Sequence, residues 1–321
     1  AMRPVSMHPL QLLTLAVLLH AAAMACAQPQ SAADYPVRPL RMILPFPPGG
    51  GTDVLGRMVG QALAEKLGQP VVAETRPGAG GNIGNEAAAR AAPDGYTLLL
   101  GSPGLAISPS LYRKLGYNPL RDLQPVALVA EIPNVLTVHR NVPARSVKEL
   151  VQLARSHPGK LTFGTGGAGT SNELGAQLFL TATRLRILIV PHKGVNQATN
   201  ALLGGHVDMV IAGVATVASH IREQKLRGLA LLGVTRSPVL PDVATAAEAG
   251  YPWLQVRTWY IVMVPAGTPR AIVERLHGAF AAIQRSGTLR GRFLKLGFEP
   301  LISTPEQAAD MIGLVDGFIV A

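Results

Sequence analysis

Residues 41–67, RMILPFPPGGGTDVLGRMVGQALAEKL, pass from a short apolar strand through prolines and three consecutive glycines into a helix beginning at Thr52 or Asp53. The helix is amphipathic: Val54, Leu55, Met58, Val59, Ala62, Leu63 and Leu67 fall on one stripe. A strand that feeds a helix through a glycine turn opens a βα unit, and the helix start presents backbone N–H groups without intrahelical partners. Together with the helix dipole, these can hold an anion without a basic side chain.

The pattern continues outward from this unit. QPVVAET is a second strand, RPGAGGNIG a glycine turn, NEAAARAA a helix closed by Pro93-Asp94-Gly95, and YTLLLGS a third strand. This β-α-β-α-β order predicts a parallel sheet covered by helices. The order recurs from residue 160: KLTFGTGG, SNELGAQLFL, LRILIVPHKG, NQATNALLGG and VDMVIAGVA alternate strand and helix again. Two apolar stretches, VALVAEIPNVLTVHR and VRTWYIVMVPAG, flank the second copy, and the helix PRAIVERLHGAFAAIQ follows.

The expected architecture is therefore α/β, with two lobes of parallel-core sheet joined by a two-crossing hinge. Lobe one is expected to hold residues 35–138 and 252–321, and lobe two 139–251. Ligands of such sheets bind beyond the carboxyl ends of the strands. That rule selects four turns, 46–53, 102–105, 164–171 and 213–216, and leaves the remaining turns at the lobe edges.

Composition narrows the function classes. The chain has 321 residues, of which 48% are hydrophobic and 15% charged, a globular balance. Residues 1–27 read as a secretory signal: Arg3, an apolar run from Leu10 to Ala25, and small residues at Ala25 and Ala27. Cys26 is the sole cysteine, and AMAC admits two outcomes, cleavage after Ala27 or lipid attachment at Cys26. Cleavage at Ala27 leaves no thiol for catalysis or metal binding. Losing Arg3 takes the net charge from +10 to +9. These charges are dispersed and aromatics are 5% of residues, which argues against nucleic acid.

Enzyme and cofactor signatures are missing. GTGGAG places Gly164, Gly166 and Gly169 in a G-x-G-x-x-G, but no Asp or Glu stands between Glu173 and Asp208 to hold a ribose, and Ile83 replaces the third glycine of the first-lobe turn. The chain has neither a G-x-S-x-G elbow nor a lysine-bearing phosphate loop. Six histidines beyond the signal have no metal-ligand spacing. The expectation is no cofactor, no metal and no catalysis.

What remains is a pair of glycine-rich helix starts facing each other. Thr52, Ser102, Thr170 and Ser171 supply hydroxyl donors. Thr52 and Ser171 fit two compatible roles, helix cap and ligand contact. Asp53, a carboxylate where an anion is expected, suits support of the helix start or reception of a ligand amino group or water. Lys193 reads as a solvated surface lysine.

From about Tyr35 to Met311 the sequence resembles the periplasmic solute receptors of tripartite tricarboxylate transporters, the Bug receptors. The resemblance is carried by PFPPGGGTDVLGR, ETRPGAGGNIGNEAAARAAPDGYTLLLGS, SVKELVQLARSHPGKLTFGTGGAGTSNELGAQLF, LLGGHVDM, and PDVATAAEAGYP with VPAGTP. It implies a type II periplasmic binding protein, monomeric, that closes on a small organic carboxylate and serves membrane transporter subunits. The alternatives are a sensor kinase as partner, or an exported enzyme. The positions it implies for ligand contact are Phe46, Gly50, Gly51, Thr52, Asp53 and Ser102 in lobe one, and Gly167, Thr170, Ser171 and Gly213 in lobe two. His192, Asn172-Glu173 and Gly213 depart from the family's usual residues, so no particular ligand transfers with the resemblance.

Overall fold

The computed structural model describes residues 34–320, with side chains through residue 313. The signal segment 1–27 and Cys26 lie outside the described residues.

The first lobe opens with β1 (Leu40–Leu44), α1 (Gly51–Leu67), β2 (Val71–Thr75), a 3-10 turn at Ala79–Gly81, α2 (Asn82–Ala89), β3 (Thr97–Gly101) and α3 (Gly104–Leu111). β1 lies between β2 and β3, parallel to both. Leu40, Met42, Ile43 and Leu44 are all buried, which explains why β1 reads as a continuous apolar run rather than an alternating one. Each such side chain contributes about 1.5–3 kcal/mol. α1 lays its apolar stripe on this sheet, with Leu55, Val59 and Leu63 fully buried. It stops at Gly68, which takes the left-handed conformation and returns its N–H to the Ala64 carbonyl.

β4 (Leu123–His139) carries the chain between lobes. Its first part pairs antiparallel with β9 (Arg257–Pro265), down to the pair Pro133↔Arg257. From Asn134 onward it pairs with β7 (Met209–Gly213) on one side, and from Val135 with β8 (Leu226–Leu231) on the other. One strand thus belongs to two sheets, and the change falls between Pro133 and Asn134. The second lobe continues with α4 (Val147–Ser156), β5 (Thr162–Thr165), α5 (Ser171–Thr183), β6 (Leu188–Pro191), α6 (Val195–Leu203), β7, α7 (Val214–Arg222) and β8. β5 runs parallel to β6 and β7. The T-shaped pair Phe163–Phe179 fills the space between this sheet and α5.

The return crossing lies beside the first. The Val256 N–H bonds the Leu232 carbonyl in lobe two, and the next residue pairs with Pro133 in lobe one. After β9 come α8 (Arg270–Arg285), α9 (Gly287–Lys295), β10 (Glu299–Pro300) and α10 (Pro305–Val320). β10 pairs with the first-lobe half of β4, so the chain's last segment completes the first lobe. The sequence reading does not include α3, because Pro109 and uniform apolarity in GLAISPSL hide its period.

Candidate functional site

Between the lobes, a cleft enclosing about 60 Å³ is lined by Phe46, Pro47, Gly50, Gly51, Thr52 and Ser102 from the first lobe. Thr170, Ser171, Asn172, Gly194, Val195, Asn196, Gln197, Gly213 and Thr216 face them from the second. Ile132, Asn134, Thr258 and Tyr260 form the floor, on the two crossing strands. No residue of this lining is charged.

Four helices begin at the cleft: α1, α5, α6 and α7. Their capping is informative. Gly50, Gly194 and Gly213 are the N-caps of α1, α6 and α7, and none makes a side-chain cap bond. The first-turn N–H groups at these three starts are therefore left for water or ligand, and the dipoles bring partial positive charge to a wall with no cation. Only α5 is capped conventionally, by Thr170 accepting from the Glu173 N–H at 3.3 Å. The two expected caps are thus corrected: Thr52 lies inside the first turn of α1, and Ser171 is the first residue of α5 after its cap.

These freed hydroxyls have other partners. Ser171 Oγ is 2.9 Å from Thr258 Oγ1 on the return crossing. Thr52 shares a hydrogen bond with the hydroxyl of Tyr260, whose burial pushes its pKa well above the ordinary phenol range despite that bond. Tyr260 thus stays a neutral O–H. Gly51 makes room for it: a Cβ there would lie 2.5 Å from the Tyr260 oxygen. Asn134, fully buried, ties the crossings together. Its Nδ2 donates to the Val256 carbonyl at 2.8 Å and Thr258 Oγ1 at 3.1 Å, while its Oδ1 accepts from Asn172 Nδ2 at 3.2 Å. Asn172 also donates to the Ile211 carbonyl at 2.9 Å. The floor is a connected polar network in which each member restrains the next.

Of the ten expected contact residues, the structure brings Phe46, Gly50, Gly51, Thr52, Ser102, Thr170, Ser171 and Gly213 into one wall. Asp53 and Gly167 stand outside it. The buried Asp53 carboxylate accepts from the Gly49 N–H at 2.9 Å and from Arg57 Nε at 2.8 Å, so it braces the glycine loop from behind. Gly167 forms the turn before Thr170, whose Oγ1 donates to the Gly167 carbonyl at 2.8 Å. Among the departures, His192 turns its ring to the Val190 carbonyl, and Glu173 accepts from Thr165 Oγ1 at 2.6 Å. Lys193 is exposed and lies outside the lining.

The sequence reading misses the fifth loop, Gly194–Gln197, which it assigns to a lobe edge. β6 is indeed an edge strand, yet its loop meets the first lobe: Asn196 Nδ2 donates to the Pro48 carbonyl at 3.3 Å. On the opposite lip Tyr112 donates to the Ala168 carbonyl at 3.2 Å. The sequence reading also misses the floor, where Asn134 is the first of two polar residues, with Thr137, in the apolar run VALVAEIPNVLTV after Glu131. Chemically, the wall offers hydroxyl and backbone N–H donors and side-chain amides.

The comparisons agree with this geometry. The family model described as tripartite tricarboxylate transporter family receptor matches residues 55–314. The protein BugT of Bordetella pertussis (strain Tohama I) is 40% identical over 288 residues, 89% of this chain and 88% of that one. A solved structure of R. palustris Rpa4515 with adipate superposes with a TM-score of 0.86 at 33% identity, covering 88% of this chain and 95% of that one. MatC from Rhodopseudomonas palustris with bound malate gives 0.82 at 33%, covering 88% and 98%. The fold is that of the two-lobed α/β periplasmic binding proteins, and among the described residues no helix is long and apolar enough to cross a membrane. With sequence and topology matched across both lobes and both crossings, the chain belongs to the receptor family of the tripartite tricarboxylate transporters.

Proposed function

We propose that the protein is a periplasmic receptor that captures a small organic carboxylate between its lobes and delivers it to a tripartite tricarboxylate-type transporter. The observation that carries this reading is the uncharged cleft onto which four helix starts converge, three of them without a side-chain cap. Such a wall attracts an anion through N–H groups and dipoles, and Thr52, Ser102, Ser171 and Tyr260 add hydroxyls that fix its orientation. The relatives solved with adipate and malate support the carboxylate class. In this reading residues 1–27 direct export, and the lobes move about Pro133–Asn134 and Val256–Arg257, slightly inside the expected boundaries at 138/139 and 251/252. Binding is 1:1, without chemical change to the ligand.

The test is a thermal-shift screen of mono-, di- and tricarboxylates followed by calorimetric titration of each hit. A true ligand raises the melting temperature by mass action, about 2.7 kcal/mol of stabilisation at a hundredfold excess over Kd. Recovery of the ligand unchanged is expected. A screen in which no carboxylate raises the melting temperature would sink the reading.

A further inference from the structure

Asn196 holds one end of its amide in a lobe-to-lobe contact and leaves the other end without a partner. Its Nδ2 donates to the Pro48 carbonyl, which fixes the orientation of the amide, since the reversed group would set oxygen against oxygen. Oδ1 is thereby the free end of the amide, although both ends lie equally near Gly50. It is buried and makes no hydrogen bond. It lies beside Gly50, 3.7 Å from the position a Cβ would take there, and both residues line the cleft. Gln197 Oε1, on the adjoining residue of the same wall, is also buried and unpaired.

A buried acceptor without a donor is destabilising. An ionised carboxylate cannot relieve it, because it too only accepts. A ligand group that relieves it must carry a donor. An ammonium group fits poorly, because the lining contains no carboxylate and the starts of α1, α5, α6 and α7 turn their positive ends toward it. A hydroxyl donates without charge.

Resting on the carboxylate-receptor reading, we infer that the preferred ligand is a hydroxycarboxylate whose hydroxyl donates to Asn196 Oδ1, making Asn196 a specificity-determining residue. The same amide bridges to Pro48, so a ligand hydroxyl that orders Asn196 also supports contact between the lobes. Ligand choice and closure share one side chain.

The experiment is calorimetric titration of the purified protein with matched trios that differ only at carbon 2: propionate, lactate and alanine; succinate, malate and aspartate; glutarate, 2-hydroxyglutarate and glutamate; phenylacetate, mandelate and phenylglycine. In the trio that fits the cleft, the hydroxy acid is expected to bind about 10- to 100-fold tighter than the unsubstituted acid, and tighter than the amino acid. In Asn196→Ala that preference shrinks to below about threefold. A urea melt of the variant shows that it is folded, and any weakening from the lost Pro48 contact cancels in the ratio. Equal binding of hydroxy and unsubstituted acids, tightest binding by the amino acid, or a preference that survives Asn196→Ala would each overturn the inference. Absence of binding by every acid is a different result, which removes the carboxylate reading and this inference with it.

Discussion

Replacing Gly80 with alanine should weaken ligand binding while leaving each lobe folded. Gly80 lies in the 3-10 turn of the first lobe at φ +66°, and a Cβ built on it overlaps the carbonyl oxygen of Ala168 in the second lobe. Real Cβ atoms come no nearer than 3.0 Å to such an oxygen, so the lobes must part there by about 1 Å. That movement takes the Tyr112 hydroxyl, now 3.2 Å from the same oxygen, out of hydrogen-bond range. Overpacking of this kind costs about 1–3 kcal/mol, and here it falls only on the form in which the lobes touch. At about 1.4 kcal/mol per factor of ten, the affinity should drop about 5- to 150-fold. The left-handed backbone adds a separate penalty of about 1 kcal/mol to stability. Gly159→Ala isolates that second effect, because Gly159 is also left-handed, at φ +75°, with nothing within 4 Å of its Cβ position. Calorimetric titration measures Kd and urea melts measure stability. If Gly80→Ala binds within about twofold of Gly159→Ala, the approach of Gly80 to Ala168 is not part of the bound form and the reasoning fails.

Three further predictions concern the supports of the site. Asn134→Ala and Asn172→Ala should each lower stability by about 1–3 kcal/mol, and the double variant should lose about 1 kcal/mol less than their sum, because they share a bond; strict additivity in urea melts would contradict the network. Asp53→Ala should lose about 1–2 kcal/mol, and Asp53→Asn less, since the amide oxygen still accepts from the Gly49 N–H; the reverse ranking would refute the bracing role. Tyr35, Tyr117 and Tyr260 have pKa values raised above 10.0 by burial. The folded state therefore keeps phenolic protons that the unfolded chain releases above pH 10. Their contribution is intact below that pH and declines above it by about 1.4 kcal/mol per pH unit per phenol, so urea midpoints that hold constant from pH 9 to 11 would count against it.

The lobes, their parallel cores and four of the five cleft loops were legible because they rest on local patterns. Apolar runs, a 3.6-residue stripe in α1, and glycine turns between strand and helix each leave a mark within a few residues. Phe46, Gly50, Thr52, Ser102 and Thr170 could be placed for that reason. Roles that depend on a distant partner left no such mark. The sequence alone could not tell that Asp53 points back at Gly49, or that Ser171 meets Thr258 across 87 residues. The floor and the Gly194–Gln197 loop were likewise decided only by tertiary structure, because β4 must change sheets at Asn134 and the lobes must meet before Asn196 can reach Pro48. Chain-local physics fixes which segments become strands, helices and open helix starts. The choice of which start faces which, and which amide oxygen is left waiting in the cleft, belongs to packing between lobes that are far apart in sequence.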